Sequence, residues 1–190
     1  MNKIIILACA FVYLLSCRSG DKKSTINQTD GTMITDSVKI YGYNLDFLKK
    51  HVDIIELRKG KSSVAVVPAW QGRVMTSTSE GYNGYSFGWI NHDLISSGKR
   101  VPHINAFGGE ERIWLGPEGG QFAIFFKQGD DFVYDNWQTP AFIDTEPFHI
   151  TGKTDTSVSF SKSAEIKNYS GSVFRLGIER NVTLFSEGQL

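Results

Sequence analysis

VDIIELRKGKSSVAVVP, residues Val52 to Pro68, reads as a β-hairpin. Val52 to Arg58 and Ser63 to Pro68 flank Lys59-Gly60-Lys61, a polar break whose glycine is free to take positive φ. Val64, Val66 and Val67 supply β-branched side chains that suit a pleated surface. Beyond the hairpin the apolar period stays at two. Further strands are expected at Arg73 to Ser77, Tyr85 to Ile90, Phe122 to Lys127, Phe132 to Tyr134, Phe148 to Lys153, Ser157 to Lys162, Ala164 to Asn168 and Val173 to Phe185. Their spacing, the Gly and Asn turns between them and the lack of a second strong helix predict an all-β fold of antiparallel sheets in a sandwich, not βαβ units.

Upstream of the hairpin, NLDFLKKH (Asn44 to His51) predicts one short helix. Asn44 can cap it, Asp46 favours the positive end, Leu45 and Leu48 share a face, and Lys49, Lys50 and His51 sit at the negative end. His51 is read as a helix-end residue, because nothing chemically complementary adjoins it. Residues 18–40, polar and rich in Ser, Thr, Asp and Gly, read as a tether. The first seventeen residues, MNKIIILACAFVYLLSC, open with Lys3 and continue as an apolar run too short to cross a hydrocarbon core. They read as an export signal. Leu14-Leu15-Ser16-Cys17 resembles the lipobox of bacterial lipoproteins, which makes Cys17 the expected lipid attachment site and mature N-terminus. Cys9 leaves with the leader, so no intrachain disulfide is expected.

Composition narrows the function classes. With 190 residues, 41% hydrophobic and 13% aromatic, the chain can bury a core. Basic and acidic residues balance at 20 each, and removing Lys3 with the leader leaves 19 against 20. No basic field is present to hold nucleic acid through its phosphates. No H-E-x-x-H, zinc-cysteine or calcium-loop spacing occurs, so neither a metal nor a cofactor is expected; G-x-S-x-G and phosphate-loop patterns are also missing.

The densest chemistry lies in HINAFGGEERIWLGPEGGQFAIFF, His103 to Phe126. Its two Gly-Gly pairs permit positive φ or close approach, and Glu110, Glu111, Arg112 and Glu118 are hydrogen-bonding groups beyond what packing requires. Two readings stand for it. In one, Gly108-Gly109 and Gly119-Gly120 form turns and an acid pairs with Arg112 across the first. In the other, Glu110, Arg112 and Glu118 converge on a cavity with His103 or Trp114 and bind a polyhydroxylated ligand. Trp70, Trp89, Trp114 and Trp137, with Tyr82, Tyr85 and Phe87, can stack on sugar rings, though core filling is the commoner role for an aromatic, with Trp114 the least core-like by its flanks.

VAVVPAWQGRVMTSTSEG (Val64 to Gly81), SFGWIN (Ser86 to Asn91) and the His103 to Phe126 segment resemble an uncharacterised family of bacterial envelope proteins, itself similar to the galactose mutarotase (aldose 1-epimerase) superfamily. The resemblance runs from about Tyr41 onward. It implies a large twisted antiparallel β supersandwich, of which residues 41–190 would be an N-terminal part, with a concave carbohydrate-binding face. With the lipobox at Cys17, the expected location is the cell envelope of a Gram-negative-type bacterium, at the periplasmic face or cell surface. Arg112, Glu110, Glu111, Trp114, Arg73 and Trp89 are the ligand-binding candidates. Mutarotases use a Glu base and a His acid; the candidates here are His103, His92 and Glu118, but the Thr-Asn motif that precedes the mutarotase acid does not occur, and Asn91-His92 departs from it. The expected function is therefore lipid-anchored carbohydrate binding. A sugar-active enzyme, epimerase-like or cleaving glycosidic bonds, and a structural envelope protein without a small ligand stand as alternatives.

Overall fold

A computed structural model describes residues 37–185; the export signal, Cys17 and most of the tether lie outside the described residues. The chain is mostly β, with two antiparallel three-stranded sheets. The first holds β1 (Ile55–Lys59), β2 (Ser62–Val67) and β3 (Arg73–Thr78) in that order, and the second holds β4 (His149–Lys153), β5 (Ser157–Lys167) and β6 (Val173–Thr183). Among the described residues the named helices are few: α1 (Tyr41–His51), α2 (His92–Ser97) and three single 3₁₀ turns. None of the described helices is long and apolar enough to cross a membrane.

The expected hairpin forms. Lys59 pairs with Ser62 across Gly60, which takes φ 61°, so only the two residues Gly60-Lys61 make the loop. β1 starts three residues later than expected because Val52 is occupied capping α1, its N–H donating to Leu48 O at 2.9 Å. The helix itself starts earlier, at Tyr41. Asn44 therefore lies inside it, and its Nδ2 reaches Val38 O and Ser86 Oγ, both at 2.7 Å, tying helix to neighbouring segments. Asp46 falls beyond the first turn and accepts from Tyr82 Oη. Residues 37–40, assigned to the tether by sequence, join the domain: Ile40 bridges Tyr85 and Lys39 O receives Ser86 N–H.

Apolar faces explain the layering. α1 lays Tyr41 and Leu45 on Ala65 of β2, while Leu48 joins Val67, Trp70, Met75, Ile90, Ile95 and Phe107 in a second cluster. On the other side, Ile55, Leu57 and Val66 of the first sheet meet Phe148, Val158 and Phe160 of the second. A third cluster packs Phe125, Phe126, Phe142 and Ile143 on Ala164, Ile166, Leu176 and Ile178 of the long β5–β6 hairpin.

Several expected strands differ in the structure. Ser157–Lys162 and Ala164–Asn168 are one strand, because Ser163 keeps its partner Gly177 on β6. Phe148 precedes β4 and enters the shared core instead, its N–H donating to Pro68 O. Phe122–Lys127 and Phe132–Tyr134 are irregular: Ala123 O and Phe125 O accept from Tyr169 and Gln138 N–H, so loop backbones satisfy what a neighbouring strand would have satisfied. Tyr85–Ile90 is extended but joins no ladder, being held by the single bridges Ile40–Tyr85 and Ile90–Gly108. α2 was not expected, although Asn91 caps it by accepting from Leu94 N–H and Gly98 ends it at φ 63°.

Candidate functional site

Segment 85–90 lies flat on β3 because Ser86 and Gly88 are small, while Ile90 turns into the core. Ser86 Oγ is 2.6 Å from Thr76 Oγ1, and Gly88 N–H donates to Thr76 Oγ1 at 3.2 Å. A Cβ on Gly88 would stand 1.9 Å from Met75 O, so any side chain there would lift the segment off the sheet. The odd-numbered residues must then point outward. Tyr85, Phe87 and Trp89 are 52%, 57% and 63% exposed, which excludes a core role for all three. Alternate residues of extended backbone repeat about every 6.6 Å, and Tyr85 and Phe87 touch edge-on with centroids 5.3 Å apart. Three large aromatics in a row form a ridge.

The Gly108-Gly109-Glu110 motif supports that ridge. Gly109 N–H donates to Trp89 O at 2.8 Å, and at Gly108, with φ 91°, a Cβ would sit 2.1 Å from the same oxygen. Only glycine allows this approach. Glu110 follows, its N–H on Val74 O and its exposed carboxylate accepting from Ser77 Oγ at 2.9 Å. Ser77 O in turn receives Phe87 N–H at 3.1 Å, so one residue places both a carboxylate and the ridge.

Three arginines gather beneath the motif. Arg73 on β3 is buried; its Nη1 donates to Gly108 O at 3.1 Å, and its Nε and Nη2 have no partner. Burial, aided by the charge of Arg112 and opposed by Asp144 and Glu111, pushes its guanidinium down to about 9. Arg112 donates to Ile143 O at 2.5 Å and Asp144 Oδ1 at 3.4 Å, and its guanidinium carbon is 4.5 Å from the Trp114 ring centre. Burial lowers its pKa too, with Asp144 opposing. Asp144 is buried and also accepts from Asn105 N–H and Nδ2. Arg180 of β6 grips both oxygens of Glu111 and donates from Nε to Gly72 O at 3.0 Å.

The other candidates are placed as follows. Trp114 lies between Arg112 and Phe125, with its Nε1 donating to Glu118 Oε1 at 2.8 Å. Both ring faces are thus occupied. His103 Nδ1 is 2.7 Å from Trp137 O and its ring lies on Tyr134. His92 Nδ1 is 3.1 Å from Ile90 O and its ring packs on Phe47 at 4.2 Å; burial holds its pKa below the usual histidine value. Among the described residues no histidine shares a hydrogen bond or ion pair with a carboxylate, and no three His, Cys, Asp or Glu residues come together to hold a metal ion. The structure brings together Arg112, Trp114 and Glu118 in one place and Trp89 and Glu110 in another; the two histidines join neither group.

A cleft of about 570 Å³ opens elsewhere, between Ile124–Gln128 and Gln138–Ala141, with Lys167 and Asn168 on its wall.

The family described as a family of unknown function (DUF6786) matches residues 39–190. The chain belongs to the DUF6786 family. No curated protein and no solved structure matches it. The DUF6786 match begins at Lys39, where the backbone first engages segment 85–90, and so spans the whole ridge, its glycine motif and the arginine cluster. Sequence reasoning missed Asp144, Asn105 and Arg180 in this DUF6786 chain, because their partners lie 39, 39 and 69 residues away. The outward turn of the ridge did carry a signal: the small residues Ser86 and Gly88 alternate with the aromatics Tyr85, Phe87 and Trp89.

Proposed function

We propose that this chain binds carbohydrate through the Tyr85–Phe87–Trp89 ridge, as a lipid-anchored envelope protein built on a mutarotase-like β supersandwich. The observation that carries the reading is the ridge itself: three exposed aromatic faces on one hydrogen-bonded segment, with the Glu110 carboxylate beside them. The apolar face of a pyranose stacks on such rings while its hydroxyls donate to a carboxylate. Exposed aromatic rows of this kind mark interaction surfaces rather than ordinary solvent-facing positions. Two antiparallel sheets sharing one core support the supersandwich, and the Leu-Leu-Ser-Cys sequence supports the anchor.

Glycan-array screening and binding calorimetry on the full-length protein test the ridge. Trp89→Ala is expected to weaken retention of the best neutral glycan by about tenfold or more, since aromatic stacking contributes roughly 1–3 kcal/mol in comparable ring contacts. Retention of no glycan by the wild-type protein, or undiminished binding by the variant, would refute it. For the anchor, fatty-acid labelling of the wild type and its loss in Cys17→Ser are expected; an unlabelled wild type overturns that part alone.

A further inference from the structure

The cleft between Ile124–Gln128 and Gln138–Ala141 has a one-sided chemistry. Its lining contains two lysines, Lys127 and Lys167, and no carboxylate. Neither ammonium group is engaged in an ion pair or hydrogen bond among the described residues, whereas Lys162 and Arg175 nearby are spent on Glu146 and Glu165. An adjoining trough of about 450 Å³ shares Ile124, Pro140, Ala141 and Lys167 with the cleft and contains those same two glutamates, already neutralised. The uncompensated charge along the combined groove therefore comes from Lys127 and Lys167.

The amides and apolar walls add shape. A Cβ on Gly171 would lie 3.4 Å from Gln128 Oε1 and 3.7 Å from Lys167 Cε, so these two cleft-lining side chains both reach the Gly171 turn. Gln138 supplies a second amide, and Pro102 and Pro140 supply flat apolar surface. Buried Asn168 accepts at Oδ1 from Ser170 Oγ and Ser172 N–H, which fixes its side chain in the wall. The volume lies within the roughly 300–1,000 Å³ range of small-molecule sites.

We propose that this cleft is a second saccharide subsite, specific for a sugar carrying a carboxylate, with Lys127 and Lys167 receiving the carboxylate and Gln128 and Gln138 the ring hydroxyls. The sugar ring rests on the carbohydrate-binding reading above; the charge preference does not. Ammonium–carboxylate hydrogen bonds are stronger than neutral ones, so the acid group would dominate the choice of ligand.

Calorimetry on the detergent-solubilised full-length protein, with a uronic-acid disaccharide, its neutral counterpart and inorganic phosphate as probes, is the test. The uronic-acid probe is expected to bind about tenfold or more tightly than the neutral one, and more weakly as salt rises. The double variant Lys127→Gln/Lys167→Gln, altered only at exposed side chains, is expected to melt as the wild type does and to lose that preference. Trp89→Ala is expected to keep it. No binding of the uronic-acid probe, equal binding of the neutral probe, equal displacement by phosphate, or loss of binding in Trp89→Ala would each overturn the proposal. Neutral-glycan retention at the ridge would survive the first of these, and uronic-acid binding would survive failure of the ridge, so the two failures are distinguishable.

Discussion

Phe160→Ala is expected to lower the unfolding free energy by about 3–5 kcal/mol, the usual loss for removing a buried phenylalanine. Phe160 is almost wholly buried on β5 and joins Val158 and Phe148 to Ile55, Leu57 and Val66 of the other sheet. Its ring also covers Gly72, where a Cβ would lie 2.7 Å from the ring edge, so the corner leading into β3 is shaped to receive it. Gly72 takes φ 64°, which prevents a larger residue there from refilling the space without strain. Urea unfolding of wild type and variant measures the effect. A loss below about 1 kcal/mol would mean that the two sheets are joined by something other than this cluster.

Asp144→Ala is expected to have a comparable effect, roughly 3–5 kcal/mol, for an electrostatic reason. Its carboxylate accepts from Asn105 N–H, Asn105 Nδ2 and Arg112 Nη2, and Asn105 in turn holds both the N–H and the C=O of Val101. Removing the acid leaves a half-buried guanidinium without its counter-charge, the Asn105 backbone N–H without an acceptor and Asn105 Nδ2 with only Val101 O. Asp144→Asn keeps an acceptor oxygen in the same place and is expected to cost clearly less. Denaturation of both variants provides the comparison; equal losses would show that the negative charge, not the retained acceptor, holds the network. Because Pro102, Pro140 and Ala141 flank these residues, the alanine variant is also expected to loosen the lysine-lined cleft.

What the sequence disclosed and what it hid follow from the range of the interactions involved. The Gly60 hairpin and the buried Leu45 and Leu48 face depend on turn chemistry and local periodicity and could be read directly, as could strand character in β5 and β6, though β5 was divided in two at Ser163. Residues 98–148 could not, because Phe122 to Phe126 is an apolar run whose periodicity does not separate strand from loop, and its backbone partners come from Gln138 and Tyr169. Alternation at Tyr85 to Ile90 was legible, but alternation does not say which side faces in. The Met75 carbonyl beneath Gly88 decides that, and it belongs to another element. Arg112 was recognisable as a residue with work beyond packing. Its placement against Ile143 O and Asp144 rests on contacts 31 and 32 residues distant, which no local pattern records.

The small residues beneath the ridge have a thermodynamic consequence. Ser86, Phe87 and Gly88 donate their N–H groups and Trp89 offers its carbonyl to fixed partners, so the backbone carrying the three rings is ordered before any ligand arrives. Tyrosine, phenylalanine and tryptophan each have only two side-chain torsions to restrain, a small entropic loss compared with closing a loop. A ligand stacking on the three rings would therefore keep most of its contact energy as affinity, because little conformational freedom remains to be removed from the protein.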